Sequence, residues 1–195
     1  MSTIITDGTG KGFNLRVDQS NRVRSHAVTE SEQLHAIEEG DGYNINTGLI
    51  NITGDATLLY IKNSSENALV IDTIIIGAGQ GITHSDSPYA YLYTNITGGD
   101  LISDATAVDG LLNRNGGSNN TFIGDTFKGK TGGTATGGNN AGPFQLNTTG
   151  RTVVPLNWIL RRGNSLTITT TPNISSGSAN YYAAAVVYVK EDTTD

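Results

Sequence analysis

A chain of 195 residues with 36% hydrophobic and 15% charged residues fits one large domain, and the absence of cysteine excludes a disulfide framework or a thiolate metal site. A formal net charge of -6 excludes a surface built to neutralise phosphates, so nucleic acid is not an expected partner. No apolar run approaches the roughly 20 residues of a membrane-spanning helix, and the opening MSTIITDGTG lacks the basic and apolar regions of a signal peptide, so no membrane partner is expected.

Residues 1–28 scatter Arg16, Arg22 and Arg24 among polar residues and a few apolar anchors, Phe13, Leu15, Val17 and Val23, which predicts an extended N-terminal arm with one short strand. Thr29-Glu30-Ser31-Glu32 offers an N-cap with a capping-box Glu, Leu34 and Ile37 lie three apart, and Gly40 can end a helix; a short helix and an extended segment are equal readings. Tyr43 and Ile45 share one strand parity and Ile50 and Ile52 the other, so the register changes near Thr47-Gly48. Residues 58–61 form a short apolar strand closed by the turn cluster 63–67. In 68–76 plain alternation sets Leu69, Ile71 and Ile75 on one face and Val70, Ile74 and Ile76 on the other, the pattern of a central strand or one buried against a neighbouring chain.

Residues 89–94 are the next strand. The pattern weakens over 98–112, and 113–142 is so rich in Gly and Asn that it predicts a long surface loop pinned by Phe122, Ile123 and Phe127. Three strands follow, over 152–160, 165–171 and 181–190; in the middle one Leu166 and Ile168 alternate with Thr167, Thr169 and Thr171, which predicts one face in water. Seven to nine strands without interleaved helices exclude a doubly wound α/β fold and predict an all-β, antiparallel two-sheet β-sandwich of jelly-roll type, a single domain over 29–195.

Stretches that mimic known chemistry fail on spacing. The run Gly77-Ala78-Gly79-Gln80-Gly81 ends a strand, but the dinucleotide fingerprint needs a third Gly where Ile82 stands and a helix that 82–88 does not offer. Gly8-Thr9-Gly10-Lys11-Gly12 lacks the first Gly of a phosphate loop, at Ile5, and the Ser or Thr after Lys11; read as a calcium loop from Asp7, it places Lys11 at a ligand position. His26, His35 and His84 show no metal-ligand spacing, Thr83-His84-Ser85-Asp86 puts triad-type residues side by side in the chain, and the acidic residues cluster as solvated surface. No catalytic residue, cofactor or metal site is assigned, and a non-enzymatic protein is expected. Tyr89, Tyr91 and Tyr93 alternate with Ala90, Leu92 and Thr94, so their rings project from one sheet face; a core or subunit interface is the first reading and a sugar-stacking platform the second.

Residues 16–77 carry in order the arm Asn21-Arg22-Val23-Arg24-Ser25, the run Gly40 to Gly48 with Tyr43-Asn44-Ile45-Asn46-Thr47 inside it, Leu59-Tyr60-Ile61-Lys62-Asn63, and the strand Val70-Ile71-Asp72-Thr73-Ile74-Ile75-Ile76. This order resembles the amino-terminal half of virion structural proteins of tailed bacteriophages, over about a third of the chain. The resemblance implies a jelly-roll-like capsid decoration or cement protein, made in the host cytoplasm and carried on the virion. It implies the major capsid protein or another virion protein as partner, a homo-oligomer with a trimer favoured, and no catalytic residues. Arg16, Arg22 and Arg24 would then meet an acidic or carbonyl-rich capsid surface. A tail-associated or receptor- or carbohydrate-binding sandwich using the tyrosine row is the alternative.

Overall fold

The computed structural model describes residues 16–17, 23–24, 31–78, 86–103, 105–147 and 150–190. It divides into two units, Met1–Ser31 and Glu32–Asp195. In the first unit β1 (Arg16–Val17) pairs antiparallel with β2 (Val23–Arg24), setting Arg16 opposite Arg24 and Val17 opposite Val23. The segment expected as an extended arm with one short strand therefore holds two, paired with each other, while Arg22 lies outside the described residues.

The second unit opens with helix α1 (Glu32–Glu39), followed by β3 (Gly42–Asn46), β4 (Ile50–Ile52), β5 (Ala56–Asn63), β6 (Ala68–Ala78), β7 (Tyr89–Thr94) and β8 (Gly98–Gly99). After the short helix α2 (Asp100–Ser103) come β9 (Thr106–Ala107), β10 (Gly110–Asn113), β11 (Gly124–Lys128), β12 (Ala135–Thr136), β13 (Asn139–Gln145), β14 (Gly150–Leu160), β15 (Ser165–Thr171) and β16 (Ala179–Lys190). They build two antiparallel sheets packed face to face, the all-β sandwich that the alternation and turn spacing predict. The first sheet runs β10-β3-β16-β6-β14, with β4 also on β16; the second runs β13-β7-β15-β5-β11-β9. Ile45, Ile71 and Ile74 from the first sheet meet Ile61, Leu92 and Ile168 from the second, all fully buried.

Two irregularities decide which side chains reach that core. β3 and β4 both pair with β16, and Thr47 bridges the gap: its N–H donates to the Ala183 carbonyl at 3.0 Å, and its Oγ1 accepts from the Ala183 N–H at 3.0 Å. The expected register change is there, and Tyr43, Ile45, Ile50 and Ile52 are all buried. In β6 the faces differ from plain alternation. An extra residue at Asp72 breaks the register against both neighbours, so Leu69 and Ile71 share the core face with Ile74 and Ile76, while Val70 and Ile75 turn outward.

Residues 32–39 are helical, which settles the two equal readings of that stretch. The helix lays Ala36 on Val70 and Tyr188, covering one end of the first sheet's outer face. Its C-terminus is a Schellman turn: Gly40, at φ +86°, donates to the Ile37 carbonyl at 3.0 Å and Asp41 to the Ala36 carbonyl at 2.7 Å. The next carbonyls would be left orphaned, and side-chain amides from a distant stretch satisfy them. Asn115 Nδ2 donates to Glu38 O at 2.7 Å, Asn120 Nδ2 to Glu39 O at 3.1 Å, and Asn113 Nδ2 to Gly40 O at 2.6 Å. The segment 113–142 is thus not one long surface loop: it caps α1, then contributes β11, β12 and the start of β13. Two of its three expected anchors hold. Phe122 meets Tyr43 edge-on with ring centroids 5.5 Å apart and Phe127 packs inward, but Ile123 is exposed.

Replacing Asn115 or Asn120 by Ala is expected to cost about 1 kcal/mol each, as lost hydrogen bonds to the helix end, read as a fall in the urea midpoint at constant m-value. Tyr181 supplies a second prediction. Its ring is fully buried on β16, its hydroxyl has no hydrogen-bond partner among the described residues, and burial pushes its pKa up to about 12. A phenol whose folded pKa is raised contributes stability below its unfolded value near 10 and loses it as pH climbs toward 12. Tyr181→Phe is expected to hold or gain stability at pH 7 and to lose less between pH 9 and pH 11.5 than the parent, measured by chemical denaturation at each pH.

Candidate functional site

Part of the second sheet's outer face is kept from water because two stretches between β7 and β13, residues 95–103 and 130–138, fold back across it. Helix α2 sets Leu101 against Tyr60 and Ile96 in a second, smaller cluster, on which Tyr93, Phe127 and Ala135 pack. Tyr60 and Phe127 stack with centroids 5.9 Å apart and planes 9° from parallel. Thr167 lies in register between Tyr93 and Tyr60 and is fully buried, so the face of β15 expected to be wet is dry at that point. The cover is fixed by the β8–β12 pair and by Asp100, whose carboxylate accepts from the Thr134 N–H at 2.7 Å and lies 3.5 Å from Lys130 Nζ. The Thr134 hydrogen bond first, and then the Lys130 cation, hold the Asp100 carboxyl below the usual carboxylate range.

The tyrosine row sits on this face. Ala90 and Leu92 enter the sandwich core, and Tyr89, Tyr91 and Tyr93 lie on the opposite side of β7. The three rings have different surroundings. Tyr93 packs on the second cluster, and Asn140 Nδ2 donates to its hydroxyl at 3.5 Å. Tyr91 and Tyr93 line an open cleft of about 520 Å³ together with Thr134, Thr136, Thr169 and Asp55. Tyr89 falls outside that lining, in register with Gln145 and Thr171. Phenol rings, hydroxyls and one carboxylate suit hydrogen bonding to a polar ligand.

A second candidate surface is the outer face of the first sheet beyond α1. Two rows cross five strands there: Val153, Ile75, Ala184, Asn46 and Gly110, then Pro155, Thr73, Val186, Asn44 and Leu112. Neither row contains a charged residue, and Val153 and Leu112 are 51% and 65% exposed. At the usual spacing between strands this face is about 19 Å wide. Alongside it, Gly77 is held to hydrogen for its side chain because a Cβ would collide with the Tyr182 ring.

The remaining sequence candidates do not converge on either surface. His35 lines a small cleft between α1 and β16 with Glu32, Glu39 and Lys190, while His26, His84 and residues 5–12 lie outside the described residues. Among the described residues no group of three or more His, Asp or Glu is placed to hold a metal ion, and no helix is long and apolar enough to cross a membrane. No protein-family model, curated protein or solved structure matches the chain. Sequence reasoning found the tyrosines but missed the wall opposite them, since Thr134 and Thr136 sit in a Gly-rich stretch with no strand pattern. Leu101→Ala is expected to destabilise the protein by about 2–4 kcal/mol, and to loosen the cover so that amide exchange in 95–103 and 130–138 accelerates more than in β6 or β16.

Proposed function

We propose that this protein is a non-enzymatic virion structural protein of a tailed phage, a capsid decoration or cement protein that attaches to the head and associates with its own copies, as a trimer in the favoured form. The observation that carries this reading is the pair of uncharged rows across the outer face of the first sheet. The chain carries 18 acidic and 12 basic residues, yet two adjacent rows of five residues on this face are free of charge. Surfaces depleted of charge and built from flat, β-branched residues are the kind that bury against another protein.

Two further features support it. With β4 and the strands β8 to β12 between β7 and β13 set aside, the remaining eight, β3, β5, β6, β7, β13, β14, β15 and β16, fall in chain order in the first sheet as first-eighth-third-sixth and in the second as second-seventh-fourth-fifth. We read that winding as a jelly roll, an architecture that recurs in capsid and lectin domains. In the N-terminal unit the β1–β2 register sets position 16 opposite position 24, so two of the chain's 12 basic residues fall on paired strands. With Arg22, which lies outside the described residues, these arginines are the proposed contact to an acidic or carbonyl-rich capsid surface. A second reading, a receptor- or glycan-binding module, is favoured by the cleft at Tyr91 and Tyr93.

Purified protein added to capsids that lack it is expected to co-sediment and to raise their rupture temperature, and reversal of the three arginines to Glu is expected to release it at low salt. Failure of the unmodified protein to co-sediment would remove the capsid reading, and a Tyr91→Ala variant that alone loses glycan binding would put the second in its place. Ile75→Asp with Ala184→Asp is expected to reduce the light-scattering mass to that of one chain while keeping the thermal midpoint within a few degrees; an unchanged mass would show that copies do not meet through this face.

A further inference from the structure

The sandwich carries a further cleft, built by the irregularities of two edge strands. β14 ends the first sheet and β13 ends the second. Each contains a proline and a register break: Pro155, with the break between Pro155 and Trp158, and Pro143, with the break between Asn140 and Pro143. Proline has no N–H to donate and a bulge interrupts the ladder, so neither edge presents an unbroken row of hydrogen-bonding groups. The bulges instead face one space. Asn139 and Asn140 of β13, Asn157 and Trp158 of β14, and Asn95 and Asn164 from the adjoining turns line an open cleft of about 590 Å³.

Three properties of this lining define what it can hold. No charged side chain takes part in it. The side-chain amides of Asn139, Asn157 and Asn164 make no hydrogen bond within the protein among the described residues. Asn157 and Asn95 take left-handed backbone angles, φ 52° and 57°, which fixes their amides at bends of the chain and not along a regular strand. Trp158 packs against the main core and also lines the cleft, so its ring is held in place before any ligand arrives.

We propose that this cleft binds a neutral oligosaccharide. Each free amide offers two donors and an acceptor within one plane, the complement of neighbouring sugar hydroxyls, and an indole ring accepts the C–H face of a pyranose. Without a cation the cleft has nothing to hold phosphate, sulfate or uronate, and the interrupted edges disfavour a peptide added as a further strand. Its openness fits an internal stretch of a glycan as well as an end. This cleft needs no second copy, and its lining has no residue in common with the tyrosine cleft, although Asn140 of that lining donates to the Tyr93 hydroxyl.

Trp158 is the only tryptophan in the chain, so its emission reports this cleft directly. Full-length protein is titrated with hexamers of glucose, galactose, mannose and N-acetylglucosamine, each to about 10 mM, which detects affinities weaker than 1 mM. At least one hexamer is expected to give a saturable change in emission. Asn157→Gly combined with Asn139→Ala, the glycine chosen to keep the left-handed angle, is expected to weaken that binding about tenfold or more, and Tyr91→Ala is expected to leave it unchanged. Should the double variant fail to fold, the exposed Asn139→Ala alone carries the comparison, with a threefold or greater loss expected. No response to any hexamer, equal affinity in the asparagine variants, or loss with Tyr91→Ala alone would overturn the proposal.

Discussion

Strand β5 has almost no contact with water on either face, and much of the rest of the molecule answers that constraint. Leu59 and Ile61 face the sandwich core and are covered by the first sheet, as in any two-layer β fold. Tyr60 faces the other way, where a sandwich normally ends in solvent. Residues 95–103 and 130–138 cross that face; Ile96 and Leu101 from them and Phe127 from the neighbouring strand β11 meet the ring, removing an aromatic side chain from water and gaining on the order of 2–3 kcal/mol for it. The cover has its own costs in ordered backbone, offset locally by the β8–β12 pair and the Asp100 contacts with Thr134 and Lys130. Because the cover stops short of Tyr91, a cleft opens at its margin.

How much of this was legible depended on whether a partner was close in sequence. Strand β7 was read with its actual bounds, because six residues alternate cleanly and nothing interrupts them. The end of α1 was marked by Gly40, since a left-handed residue there is a local requirement. The capping asparagines were not legible: Asn115 is 77 positions from Glu38, and an Asn-rich run looks the same in sequence whether its amides meet water or a helix end. The faces of β6 were misread for a related reason. A bulge at Asp72 is imposed by pairing with β16 and β14, and periodicity alone counts straight through it. Trp158 and the asparagines of the edge cleft come from four separate stretches of chain that only the antiparallel winding brings together.

The charge on the chain is distributed unevenly over its surfaces. Ion pairs such as Lys62 with Asp125 and Lys190 with Glu32 sit at the rim and on the helix, where exposed pairs contribute little to stability. Two rows across the outer face of the first sheet and the lining of the edge cleft are both without charge, though built from different materials, mainly aliphatic residues in one and amides with an indole in the other. A flat aliphatic surface gains from any fitting neighbour, whereas unpaired amides gain only from a ligand that presents hydroxyls or amides of its own.

The prolines of β13 and β14 also bear on growth in one dimension. An uninterrupted edge recruits the matching edge of the next molecule, that molecule exposes the same edge again, and a filament extends without limit. Pro143 and Pro155, each beside its bulge, break that succession after the first few hydrogen bonds. On these two edges, therefore, the sandwich offers no continuous template for strand-on-strand growth.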